Sequence, residues 1–129
     1  MTGSILVILP VMICLTAGVI SLLFIRLPKV RAWLSLSAMA VSLGISCLLL
    51  VKVHSTGVPV VLQAGGWAAP FGITFVADRL SALFAVMSQL VLSTGIIYAM
   101  GSKDACVQYP AFYPLFLFLA TGLTGAMLT

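Results

Sequence analysis

The chain contains two carboxylates, Asp78 and Asp104, one imidazole, His54, and three thiols, Cys14, Cys47 and Cys106. Acid–base or nucleophilic catalysis needs such groups brought together, as in a Ser–His–acid set. Here the two acids stand at either end of one long apolar stretch, so a helix through it holds them apart. His54 lies beside Lys52 without the further His, Cys or carboxylate partners that a metal requires, and it reads as a solvated surface imidazole. The cysteine spacing matches no metal motif. Cys14 and Cys47 fall inside apolar runs and read as small apolar residues, while Cys106 falls in a short polar loop. Gly65-Gly66 lacks the Lys-Ser/Thr and the helix of a phosphate loop. The sequence therefore predicts no catalytic residue, no cofactor and no metal site.

The polar chemistry that remains is structural or belongs to a passage through a membrane. Asp78 precedes an apolar run, where its carboxylate suits an N-cap accepting from the amides of Leu80 or Ser81. With Arg79 it is the candidate for an ion-pair element near the mouth of a transport path or for a contact to a neighbouring subunit, set against a plain helix cap with a headgroup or local salt-bridge contact. Ser88, Gln89, Ser93 and Thr94 follow on the same segment. Gln89 is the costliest of these to face lipid, so it is expected to face protein. Thr121 and Thr124, further on, are read as polar contacts between helices and not as ion ligands.

The elements that position these groups are apolar rods. Six Lys or Arg and two Asp are the whole formal charge, and all eight lie between the long apolar stretches or, for Asp78 and Arg79, at the very start of one. Those stretches run at about 5–25, 33–51, 78–100 and 112–129, each of about 17–23 residues, enough for roughly 30 Å of hydrocarbon. The expectation is an all-α membrane protein, one membrane domain over 1–129 with four transmembrane helices. Between the second and third lies a 52–77 segment punctuated by Gly57, Pro59, Gly65, Gly66, Pro70 and Gly72. Val58–Leu62 and Ile73–Val76 are short β-branched runs in it, which predicts a β-hairpin-like piece at the membrane surface. Met1-Thr2-Gly3-Ser4 lacks the basic start of a cleaved signal, so the first apolar segment is expected to remain as a span.

Charge sets the expected orientation. Arg26, Lys29, Arg31 and Lys103 lie on one side, Lys52 and Arg79 on the other. The bias predicts an external N-terminus and an external hairpin in a multi-pass protein of the cell membrane. The net charge of +4 comes mainly from the Arg26–Arg31 loop. With no interleaved aromatics it is a topology signal, and no nucleic-acid partner is expected. Small residues at four-residue spacing, Ala38, Ser42 and Ser46 on the second span among them, mark faces that let helices approach closely.

Two stretches carry a family resemblance. They are Gly65-Gly66-Trp67-Ala68-Ala69-Pro70-Phe71-Gly72-Ile73-Thr74-Phe75-Val76-Ala77-Asp78-Arg79-Leu80-Ser81-Ala82-Leu83 and Phe112-Tyr113-Pro114-Leu115-Phe116-Leu117-Phe118-Leu119-Ala120-Thr121-Gly122-Leu123-Thr124-Gly125-Ala126-Met127-Leu128-Thr129. Both resemble the N-terminal region of the D subunit of Mrp-type multisubunit cation/proton antiporters, a relative of the proton-pumping subunits of respiratory complex I and membrane-bound hydrogenases. The first half of the chain matches that family in hydropathy alone. The resemblance implies a fourteen-helix protein with an external N-terminus. It also implies that the glutamate and lysines of the proton path follow on later helices, so no transport residue is carried over onto this chain. Where the family often has Asn in the second stretch, this chain has Thr124.

The resemblance implies a sodium/proton antiporter subunit, truncated or from a split gene, that provides scaffold helices and not the proton path. It is a transporter part and no enzyme, with the lipid bilayer and other antiporter subunits as partners. The alternative is a fragment of a proton-pumping, non-catalytic membrane subunit of an NADH–quinone oxidoreductase or hydrogenase. A small independent assembly factor is a third reading.

Overall fold

A computed structural model describes residues 2–68 and 70–129. The part of the N-terminal reading that rests on Met1, and Ala69 within the first resemblance stretch, lie outside them. The structure is mostly helical. Helix α1 spans Thr2–Leu23, α2 Pro28–Thr56, α3 Arg79–Gly101, α4 Ala105–Gln108 and α5 Phe112–Leu128. Strands β1 (Val60–Gln63) and β2 (Thr74–Ala77) pair antiparallel between α2 and α3, with Val60 opposite Ala77 and Gln63 opposite Thr74. The hairpin expected from the β-branched runs is present, and the 64–73 connection between its strands opens with a short 3-10 turn at Ala64–Gly66.

Among the described residues three helical segments are long and apolar enough to cross a membrane: Ser4–Leu23, Pro28–Thr56 and Arg79–Gly101. The apolar helix Phe112–Leu128 is shorter, about 25 Å at 1.5 Å per residue. The chain is a multi-pass membrane protein by these helices.

Helix α2 outruns its apolar stretch at both ends. Pro28 occupies the first helical turn, where its missing N–H costs nothing, so Lys29, Val30 and Arg31 are helical and not a turn. At the other end the helix continues through Lys52 and His54 to Gly57, whose φ of 67° closes it while its N–H donates to the Val53 carbonyl. At 29 residues it is about 43 Å long, more than the hydrocarbon needs. Helix α4, in the loop after α3, is not evident in the sequence.

The four long helices form a ring in which α1 packs on α2 and α5, and α3 packs on α2 and α5. Ala38, Ser42 and Ser46 are buried, so the small-residue stripe of α2 is an inward face. Its small side chains let neighbouring backbones close in. Helix α5 is seated by two aromatic knobs. A Cβ on Gly18 of α1 would lie 2.9 Å from the Phe118 ring, and one on Gly95 of α3 would lie 3.2 Å from the Phe116 ring. Each glycine is a notch filled by a ring of α5. Gly122 meets open space and takes no part in this contact.

Candidate functional site

The centre of the bundle is polar. Gln89 lies on the buried face of α3 with Ala82, Ala85, Leu92, Ile96 and Ala99, and it is fully buried. Its Nε2 donates to Thr124 Oγ1 at 2.6 Å. Thr124, equally buried on α5, donates its own hydroxyl hydrogen to the Ala120 carbonyl at 2.7 Å. Its oxygen therefore accepts from one helix while its hydrogen stays on its own.

Helices α1 and α2 complete the cluster. Cys14 Sγ lies 4.0 Å from Gln89 Nε2 and 3.6 Å from Ser42 Oγ. Ser42 donates to the Pro10 carbonyl at 3.3 Å. Met39 Sδ sits 3.9 Å from the Cys14 sulfur. Amide, hydroxyl, thiol and carbonyl thus meet from all four long helices. Gln89 Oε1 and Ser46 Oγ are buried without a hydrogen-bond partner. The cluster holds no carboxylate, imidazole or ammonium, so it can lock helices together by hydrogen bonds but offers no charged station to a moving ion. Among the described residues no group of three or more His, Cys, Asp or Glu comes together as a metal site.

Thr121 is not part of this centre. It is half-buried, and its hydroxyl donates to Leu117 O of its own helix at 2.9 Å. Ser88, Ser93 and Thr94 also bond back to carbonyls of their own helix.

Asp78 and Arg79 lie at one end of the bundle, not at its centre. Asp78 caps α3: the Ser81 amide donates to its Oδ1 at 2.6 Å, and its own amide donates to Ser81 Oγ at 2.9 Å. This reciprocal capping box needs a short hydroxyl three residues on. The donated amide and hydroxyl of Ser81 hold the Asp78 carboxyl below its ordinary range. Arg79 is exposed, and its guanidinium lies over Gly57. With Leu50, Val51, His54 and Leu83 it lines an apolar cavity of about 480 Å³, which brings the lone imidazole and Arg79 to one place.

Sequence reasoning missed Arg31. It is 3 % exposed, with Nη1 donating to the Pro110 carbonyl just before α5 and with Nε buried and unpartnered. Pro28 three residues earlier signals the helix start that makes Arg31 helical, but nothing local in the sequence signals its depth. The Cys14–Ser42–Pro10 branch was also missed, because each residue alone reads as ordinary in an apolar span.

No family model matches the chain. Individual proteins do. It is 33% identical over 124 residues to the D subunit of the Na(+)/H(+) antiporter of Alkalihalophilus pseudofirmus, covering 96% of this chain and 25% of that protein. The chain is homologous to antiporter D subunits. It is 37% identical over 134 aligned positions to the putative antiporter subunit mnhD2 of Staphylococcus saprophyticus, covering 100% of this chain and 26% of the relative. The corresponding protein of Staphylococcus aureus is 30% identical over 124 residues. The similarity to these proteins runs through the first half of the chain as well, beyond the match in hydropathy that the residues there suggest. The chain spans about a quarter of the length of the curated relatives it matches.

Proposed function

We propose that this chain supplies scaffold helices of a D-type subunit in a multisubunit sodium/proton antiporter, packed beside the ion-conducting helices without itself carrying the proton path. The observation that carries this reading is similarity over nearly the whole chain to a quarter of antiporter D subunits. A bundle centre of neutral amide, hydroxyl and thiol groups supports it, because proton relays through membranes use titratable side chains. The relatives carry antiporter names, which favours ion exchange over the oxidoreductase reading.

In this proposal all four long helices cross the membrane of the cell, α5 with the least length to spare, and 1–129 acts as one membrane domain of a fourteen-helix subunit. The N-terminus and hairpin are external, with Arg26, Lys29, Arg31 and Lys103 at the cytoplasmic face. Gln89 and Thr124 lock α3 to α5. Asp78 ends the hairpin and starts α3, and Arg79 beside it marks either a pathway mouth or a contact to a neighbouring subunit. The lipid bilayer and other antiporter subunits are the partners.

A chimera tests the assignment. This chain replaces the matching quarter of the Alkalihalophilus pseudofirmus D subunit, expressed with its other subunits in a sodium-sensitive host. Restored sodium tolerance and sodium-driven proton movement in everted vesicles are the expected results. A chimera that inserts and assembles, yet conducts nothing, contradicts the assignment.

A further inference from the structure

The end of the bundle that carries Arg26, Lys29, Arg31 and Lys103 has two adjoining cavities. One, of about 470 Å³, lies between the start of α2, the end of α3 and α4, and includes Lys29, Trp33, Ser102 and Gln108 in its wall. The other, of about 670 Å³, runs along the outer face of α2 between Lys29, Trp33, Leu34 and Ser37. Lys29 and Trp33 belong to both. The first offers polar groups at the helix ends, and the second is almost wholly apolar and follows the helix toward the middle of the membrane.

Charge at this end is unbalanced. Its one acid, Asp104, is held by the Ser102 hydroxyl at 2.9 Å within its own turn. Arg31, one turn from Pro28, is buried against a neutral carbonyl, with Nε unpartnered. Arg31 lines neither cavity, so Lys29 is the cation that faces them. An exposed lysine, an interfacial tryptophan at 66 % exposure and a long greasy groove leading away from them match one class of molecule: a headgroup phosphate joined to an acyl chain.

We propose that this paired cavity is a binding site for an anionic glycerophospholipid. The phosphate and acidic headgroup sit beside Lys29 in the cavity between α2, α3 and α4, and an acyl chain lies along Trp33 and Leu34. The site goes beyond a scaffold role and does not depend on antiport activity. With the orientation proposed above it faces the anionic cytoplasmic leaflet.

Tryptophan quenching reads this directly. Trp33 and Trp67 are the chain's two tryptophans, so Trp67→Phe leaves Trp33 as sole reporter. The full chain is reconstituted into phosphatidylcholine vesicles containing brominated phosphatidylglycerol or brominated phosphatidylcholine. Half-maximal quenching is expected at about fivefold lower mole fraction of the anionic lipid, the factor that about 1 kcal/mol per basic residue near the surface gives. Lys29→Gln removes most of that preference. Lys52→Gln, at the opposite end, and Arg26→Gln, at the same end but outside both cavities, leave it in place. Equal quenching by the two lipids overturns the proposal. So does an equal loss from Arg26→Gln and Lys29→Gln, which marks diffuse attraction to a charged surface, or an unchanged preference in Lys29→Gln.

Discussion

Gln89 is held at the centre of the bundle by a single strong hydrogen bond, to Thr124 on another helix. Removing one partner strands the other where water cannot reach, which costs about 1–3 kcal/mol. Thr124→Val is therefore expected to destabilise the bundle by that order, read by denaturant titration in mixed micelles. The pair Gln89→Leu with Thr124→Val is expected to cost less than the two single changes added together. At the other end of α3, Asp78 gives stability a pH dependence. Its folded pKa is depressed by the Ser81 donors. The unfolded chain then binds the proton more readily, and the cap's contribution is present above the ordinary aspartate pKa of about 3.9. It is lost as pH falls through the lower folded value. Asp78→Asn is expected to flatten this acid limb in helicity measured against pH, and an unchanged limb would show that the cap adds nothing.

The elements show which signals a sequence carries and which it hides. Apolar length and Gly/Pro punctuation reveal the long helices and the hairpin, because both follow from solvation and backbone geometry along one chain segment. Gln89 is legible as inward-facing for the same reason, since lipid would penalise its amide. The depth of Arg31 is not, because its partner, the Pro110 carbonyl, lies far along the chain. Nor is the meeting of Cys14, Ser42 and Pro10, which needs two helices in register. Thr121 and Thr124 look alike in sequence, yet their places on the turn send one to its own helix alone and the other to Gln89. The docking of α5 rests on shape. Gly18→Val places a branched side chain where the Phe118 ring now sits, and overpacking of this kind costs about 1–3 kcal/mol. Phe118→Ala in the same chain is expected to recover part of that loss, a rescue visible in the denaturation midpoint.

For the molecule as a whole, orientation and conduction are the properties that matter. Cys106 is an exposed thiol in the loop beside Lys103, whereas Cys14 is buried in the bundle. A membrane-impermeant maleimide is expected to label Cys106 in everted vesicles and not in intact cells, with Cys47→Ser removing the other exposed thiol. Labelling in intact cells would place the basic end outside. Charge movement separates a scaffold from a pathway. The four-helix centre joins neutral groups, and among the described residues no relay of carboxylates, imidazoles or amines runs through it. The most direct test is purified chain in liposomes carrying a sodium gradient and an internal pH dye. Proton flux no greater than in protein-free vesicles is the predicted result. Sodium-coupled acidification or alkalinisation by this chain alone would contradict it.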